Sequence, residues 1–570
     1  MHCRRKRDIP DSEEVLINEK EILAGKKNFD FDMYKLSPNG KHIAYTMYNY
    51  YLDENRIYIK NLQNQNHNPT VIINAELDKW INDSSILYYK GDDRVSLFIH
   101  KLGTPQSRDK LIFDQEDANF EYKQSVSNSE KYIFFDFVNF AEGSVVYYID
   151  IDKPDELKTF TPFEKGVFYR VYHHTNDTLF YITTNLNAPN FKVVTTSLNN
   201  TNSKNWVDFL PDSENVIQWV YSAKGNWLVF DEFSEGSMKL SILDKRTGKR
   251  SKMEFDEKLY TLTFLHIDTL KKTMRFMYKS FITPETYYDY NIETNQLTKL
   301  FETQISNYNK SDYEMELIYV PAHDGTQIPV ALIYNKNTPR DGTAPVYIQA
   351  NSGGWHIYNI PFFNTRNLTL LDRGFFWVCP HVRGSGPDNS QMEISGIGSN
   401  TKNKAHDFAS VAKYLINENY TSANKIHAFG LSAGGETIGM VANMYPELFR
   451  SITFLVPYLD VIFEKDENYW ATAGNPNIKE EFDYMIDYSP YQNIKKQNYP
   501  AMLFVTGIND RNVPSYQTIK MAAKIRANNT GTTPIYLSTD LKGNHYIINQ
   551  KKTLLPFVFI LALHNNILPL

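Results

Sequence analysis

Residues 425–436 read Lys425-Ile426-His427-Ala428-Phe429-Gly430-Leu431-Ser432-Ala433-Gly434-Gly435-Glu436. A strand-like run enters Gly-x-Ser-x-Gly, and a helix-like run opens at Glu436. Glycines flanking the serine permit a tight strand-to-helix turn that lifts its hydroxyl out of a sheet. The Ala433 N–H, at the helix start, is then placed to stabilise an oxyanion. The bare pattern also describes an ordinary Gly/Ser turn. With a strand before it and a helix after it, the reading is a serine nucleophile on an α/β sheet.

A serine hydroxyl needs a base, and the base needs an orienting acid. On this fold both follow the serine, acid first, at the ends of later strands. The strand Met502 to Thr506 runs into Gly507-Ile508-Asn509-Asp510-Arg511-Asn512-Val513-Pro514. The strand Ile535 to Leu537 is followed by Lys542-Gly543-Asn544-His545. Asp510 and His545 therefore stand in the required order and place, although an Asp in such a turn can also be a simple cap. Of the 14 histidines, His427 lies inside a strand, and His356 and His381 precede the serine, so these three read as structural.

Outward from the serine, strands and amphipathic helices alternate. Strand-like runs are Ile328–Tyr334, Val346–Gln349, Lys425–Gly430, Ala501–Gly507 and Ile535–Thr539; helical ones are Ala405–Asn417, Glu436–Tyr445 and Tyr516–Ala527. This alternation predicts a doubly wound, mostly parallel sheet with helices on both faces. Before about residue 310 the grammar differs. Turn-forming groups at Ser37–Gly40, Asn82–Ser85, Ser127–Glu130, Thr175–Asp177 and Ser222–Gly225 each precede an aromatic/aliphatic strand. Turns at such spacing between period-2 strands read as propeller blades, with an irregular β-sandwich as the competing reading. The expected fold is an all-β propeller domain over 1–310 and an α/β-hydrolase domain over 311–570.

With 570 residues the chain exceeds what one core usually supports. Its net charge of -6 gives no nucleic-acid footprint. The two cysteines, Cys3 and Cys379, exclude a disulfide framework and fit a reducing, cytoplasmic setting. The longest apolar run, Phe557–Leu563, is too short to span a bilayer. Asp53, Glu54, Asp92 and Asp93 read as turn carboxylates, so neither metal nor cofactor is expected. The expected partners are short peptides, in a monomer or small homo-oligomer.

The stretch from Ser311 onward resembles the catalytic domain of the prolyl oligopeptidase family, its oligopeptidase B branch most closely. The segments that carry the likeness are Leu371-Asp372-Arg373-Gly374-Phe375, His381-Val382-Arg383-Gly384-Ser385-Gly386 and Leu431-Ser432-Ala433-Gly434-Gly435. Val456-Pro457-Tyr458-Leu459-Asp460-Val461, Gly474-Asn475-Pro476, Tyr488-Ser489-Pro490-Tyr491 and Asp510-Arg511-Asn512-Val513 follow in family order. Cys3-Arg4-Arg5-Lys6 and Glu13-Glu14-Val15-Leu16 resemble an early propeller segment. The resemblance implies a seven-bladed propeller capping the hydrolase domain and admitting only short peptides, with Arg383 among the substrate-binding residues.

Three departures qualify what carries over. No stretch of this sequence resembles the family's front section, so the chain is expected to open inside the first blade, and closure of the propeller is left open. The family's oxyanion tyrosine is replaced: one count places Asn351 there, the other Ser352. Either can donate a hydrogen bond, with a shorter reach, and losing one such donor costs roughly 2.7–4 kcal/mol, so slow turnover is expected. The two glutamates that read a basic side chain in the oligopeptidase B branch correspond to Tyr469 and Ala471, with Asp466 and Glu467 nearby. The leading expectation is a serine oligopeptidase acting through Ser432, Asp510 and His545. An esterase or acyl-aminoacyl hydrolase with the same triad, or an inactive peptide-binding relative, are the alternatives.

Overall fold

In the computed structural model the stretch 425–436 supplies a central strand, Ile426–Leu431, of an eight-stranded sheet and the start of the helix that follows it. The structure describes all residues except 1, 5–11, 27, 50, 53, 65–68, 92–94, 116–119, 125–128, 130, 140–141, 175–176, 223–224, 235, 254, 351–360, 387–389, 464–468, 546–549 and 568–570. The chain divides into two compact units, residues 1–182 with 195–207 and residues 183–194 with 208–570.

The eight strands are β1 (Tyr313–Pro321), β2 (Gln327–Asn335), β3 (Val346–Ala350), β4 (Phe376–Pro380), β5 (Ile426–Leu431), β6 (Ser451–Leu455), β7 (Ala501–Gly507) and β8 (Ile535–Asp540). Their order is β1-β2-β4-β3-β5-β6-β7-β8. The β1–β2 and β2–β4 pairs are antiparallel, and every later pair is parallel. Helices α1 (Lys402–Asn417), α2 (Gly434–Met444), α3 (Tyr516–Asn528) and α4 (Leu555–His564) connect or cover these strands.

The central strands are apolar and nearly fully buried because helices cover both faces, as parallel sheets require. One face gathers Val346, Ile348, Ile426, Ala428, Ile452, Phe454, Met502 and Phe504 with Phe408 and Val411 of α1 and Ile438 and Val441 of α2. Phe454 and Phe504 stack at 4.5 Å between ring centres. Burying each such side chain contributes about 1.5–3 kcal/mol. The other face packs Ala501, Leu503 and Val505 on Phe559 and Leu563 of α4.

Within β5 the polar exception is His427, fully buried, with Nδ1 at 2.7 Å from the Ser451 hydroxyl. Burial pushes its imidazole down to about 3, so it sits there neutral. His381 at the end of β4 is likewise buried and pushed down to about 4 by burial. Both behave as the structural histidines expected from sequence. His356 lies outside the described residues.

The remainder of the described chain is chiefly antiparallel sheet. Six four-stranded meanders run over residues 29–73, 76–114, 121–161, 169–210, 216–252 and 260–302, each with strands in sequential order. In two of the six, a turn-forming group noted in the sequence (Ser37–Gly40, Asn82–Ser85) lies between the first and second strand, while the groups at 127–130, 175–177 and 222–225 fall largely outside the described residues. The sixth was not announced that way. Its first hairpin turns at Thr269-Leu270-Lys271-Lys272, without Gly, Pro or Asn, and Lys272 adopts φ 55°. A lysine in the left-handed region gives no turn signal in sequence. A further two-stranded pair, His2–Arg4 with Glu14–Ile17, opens the chain, and Arg4 Nε donates to Glu14 at 2.7 Å.

Candidate active site

Ser432 stands one residue beyond β5, and its φ of 51° marks a sharp elbow. A non-glycine residue is seldom found there, and such strain concentrates where function requires it. The turn closes because Gly430 has no side chain: a Cβ would lie 2.5 Å from the Gly434 carbonyl oxygen. Ala433 is helical, with φ -58° and ψ -29°, and caps α2. Its N–H thus belongs to the first turn, where amides lack intrahelical acceptors.

Two loops bring the other members. After β7, Asp510 is buried, and its Oδ1 accepts the Val513 N–H at 2.8 Å. After β8, His545 places Nδ1 2.8 Å from Asp510 Oδ2 and Nε2 3.0 Å from Ser432 Oγ. The loops are pinned to one another through main chain. The Ile508 N–H donates to Asp540 O at 2.9 Å and the Asn509 N–H to Gly543 O at 3.0 Å. Gly507 permits this approach, since a Cβ there would be 2.5 Å from the Gly543 oxygen.

The rest of the expected site is distributed unevenly. Asn351, Ser352, Asp466 and Glu467 lie outside the described residues, as does the side chain of Ala471. Tyr469 caps the short helix Trp470–Ala473 and stacks on Tyr458 with ring centres 5.2 Å apart.

Arg383 departs from its expected substrate role. Its Nε and Nη2 donate to Asp407 of α1 at 3.0 and 2.7 Å, and Nη1 donates to Asp324 at 2.6 Å. The guanidinium is largely buried and holds the Asp324 carboxyl well below its ordinary range. With its fork filled by two carboxylates, Arg383 fastens its own loop to α1 rather than offering charge to a ligand. A second buried pair, Lys404 with Glu436 at 2.8 Å, ties α1 to α2.

Sequence reasoning overlooked the residues that hold Ser432 from behind. The Tyr458 N–H donates to the Ser432 carbonyl at 2.9 Å, and the Gln517 side chain of α3 accepts from two amides of the same loop. Tyr458 lies in the quoted family segment, but nothing in the spacing links it to Gln517.

A serine on a strand-to-helix elbow, facing a histidine that a buried aspartate orients, defines the serine hydrolases of α/β-hydrolase fold. Comparison with known proteins narrows the class. Residues 1–303 match the family model described as the prolyl oligopeptidase N-terminal beta-propeller domain, and residues 361–562 match that of the prolyl oligopeptidase family. Dipeptidyl aminopeptidase BI of Pseudoxanthomonas mexicana is 31% identical over 94% of this chain and 75% of its own length. Protease 2 of Moraxella lacunata is 29% identical over 94% of this chain and 79% of its own. Oligopeptidase B from Leishmania major superposes with a TM-score of 0.88 at 23% identity, covering 98% of this chain and 82% of that one.

The chain belongs to the prolyl oligopeptidase family of serine peptidases, with the family's propeller and hydrolase domains, and its chemistry is peptide-bond hydrolysis. No helix among the described residues is long and apolar enough to cross a membrane.

Proposed function

We propose that this enzyme cleaves short peptides through an acyl-enzyme on Ser432, with His545 as general base and Asp510 as its orienter. The observation that carries the reading is the continuous relay from Asp510 through His545 to Ser432 at a strained elbow. His545 Nε2 takes the Ser432 proton as Oγ attacks the scissile carbonyl, then gives it to the departing amine. Water, deprotonated by the same nitrogen, releases the acid product. Asp510 keeps the Nδ1–H donating toward itself, which leaves Nε2 as the acceptor that Ser432 needs. The Ala433 N–H serves the developing oxyanion, with Asn351 or Ser352 as the second donor.

We place the functional division at residues 310/311, between a propeller that selects for short peptides and the peptidase domain. Tyr469 and Ala471 define the specificity wall, so cleavage does not depend on a basic side chain. The free thiols Cys3 and Cys379 fit a cytoplasmic monomer or small homo-oligomer. A fluorophosphonate probe tests the central assignment. Covalent labelling at Ser432 that is lost in Ser432→Ala supports it, and an unlabelled folded protein favours the inactive-relative reading.

A further inference from the structure

Both backbone polar groups of Ser432 are held by one segment. The Ser432 N–H donates to Leu455 O at 3.0 Å, and its carbonyl accepts from the Tyr458 N–H at 2.9 Å. Between these contacts the chain passes through Val456, whose φ of 41° is an outlier for a β-branched residue. A segment in that conformation persists only where its surroundings over-determine it.

Helix α3 supplies the restraint. Gln517 Oε1 accepts from the Leu459 and Asp460 N–H groups at 2.9 and 3.0 Å. The Asp460 carboxylate is fully buried and accepts from Gln492 Nε2 at 2.8 Å and from Lys520 Nζ. Gln517 and Lys520 are three residues apart, hence neighbours on one helix face. The Lys520 ammonium also lies against three rings, 4.4 Å from the centre of Tyr491, 5.0 Å from Tyr516 and 5.2 Å from Phe463. The same helix begins where the loop of Asp510 ends, its Gln517 N–H donating to Pro514 O at 3.0 Å. One helix therefore grips both the loop of the acid and the segment behind the nucleophile.

We propose that Lys520, acting through Asp460, is a positioning residue that sets the register between Ser432 and His545. The inference rests on reading Ser432 as the nucleophile. Without the ammonium, a buried carboxylate loses its counter-charge, and the 456–460 segment has to shift to hydrate it. A displacement of about 1 Å at the reacting atoms can cost roughly a hundredfold in rate. The segment holds Ser432 directly and reaches Tyr469 only through the stacked Tyr458 ring, so the loss falls on kcat before KM. A pair that served stability alone would leave the reactivity of folded Ser432 untouched.

The test compares wild type, Lys520→Met, Lys520→Arg and the neutral hydrogen-bonding pair Asp460→Asn/Lys520→Gln. For each, the fluorophosphonate labelling rate at Ser432, kcat and KM on one short fluorogenic peptide, and thermal unfolding are measured. In Lys520→Met, labelling and kcat are expected to fall by roughly 30- to 100-fold, with KM within about threefold. Lys520→Arg and the double variant are expected to remain within about fivefold of wild type. Folded Lys520→Met that labels at the wild-type rate overturns the proposal, and so does a folded double variant as slow as Lys520→Met. Should Lys520→Met fail to fold, Lys520→Gln takes its place, and folded Lys520→Gln that labels at the wild-type rate overturns the proposal. A wild type that does not label at all removes the Ser432 reading itself, and is thereby distinguished from failure of the clamp.

Discussion

Ser432 Oγ and His545 Nε2 lie 3.0 Å apart although 113 residues of chain separate them. That closeness is produced by the sheet: β5 and β8 both end at the same edge, and the connecting helices stay on its faces. Catalytic loops gather at the carboxyl ends of parallel strands for this topological reason.

The relay predicts non-additive losses. Ser432→Ala and His545→Ala each should abolish turnover of a fluorogenic peptide, and combining them should cost little more, because the residues act as a unit. Asp510→Asn should fold normally yet lose roughly three to four orders of magnitude in kcat, since the amide no longer selects the working tautomer. Full hydrolysis by purified Ser432→Ala would discard the mechanism.

Strain at the elbow predicts an inactive but more stable variant. Glycine tolerates φ 51° at no steric cost, so Ser432→Gly should gain about 1 kcal/mol despite the added freedom of its unfolded chain. Urea unfolding of the two proteins measures the difference. A less stable glycine variant would mean that the Ser432 hydroxyl contributes more to folding than the strain removes.

Specificity is predicted to be broad at P1. A guanidinium buried without a carboxylate partner meets a penalty of several kcal/mol. Stacking on an aromatic such as Tyr469 returns only roughly 0.5–2 kcal/mol. Matched peptides with Arg or Phe at P1 should therefore show kcat/KM values within about an order of magnitude. A hundredfold preference for Arg, roughly 2.7 kcal/mol, would show that a carboxylate such as Asp466 or Glu467 reaches the site.

Acid should destabilise the fold through its buried histidines. His381 titrates near 6.5 when unfolded, but burial lowers the folded group to about 4. Protons thus bind the unfolded chain preferentially: the stability is present above pH 6.5 and is lost as pH falls toward 4. His427, lowered to about 3 chiefly by burial, acts in the same direction. Thermal unfolding across this window should fall less steeply in His381→Leu than in wild type. Parallel slopes would assign the acid limb to other groups.

Substrate size offers a further check. If the propeller selects for short chains, casein should be cut far more slowly than peptides of a few residues. Equal rates would remove the gating role.

The meeting of Ser432, His545 and Asp510 could be anticipated because each carries its own local signal: Gly-x-Ser-x-Gly between a strand and a helix, then Asp510 and His545 just past apolar runs. The first two meanders were equally open to reading, since Ser37–Gly40 and Asn82–Ser85 punctuate their first hairpins. What escaped has a shared cause. The hairpin ending at Lys272 is turned by Asp268, whose Oδ1 accepts the Leu270 and Lys271 N–H groups without a Gly, Asn or Pro in the turn itself, and the Asp460–Lys520 contact joins positions 60 residues apart. Arg383 was assigned by family motif, and only the three-dimensional position of Asp407 on α1 reveals where its charge goes. Local propensity announces turns and strands; pairings across the fold leave no trace in spacing.

The contact between Gly507 and the Gly543 carbonyl bears on how this catalyst can be remodelled. With the main-chain bonds Ile508 N–H to Asp540 O and Asn509 N–H to Gly543 O beside it, the pair of loops carrying Asp510 and His545 is a single module. A library that randomises 541–544 alone would mostly lose activity through misplaced imidazole, whatever it achieved at the substrate. Grafting 507–514 together with 540–545 from one relative into another transfers the module intact. Variation in what the enzyme accepts is therefore better sought at Tyr469 itself, with Tyr458 and the 456–460 segment left unchanged.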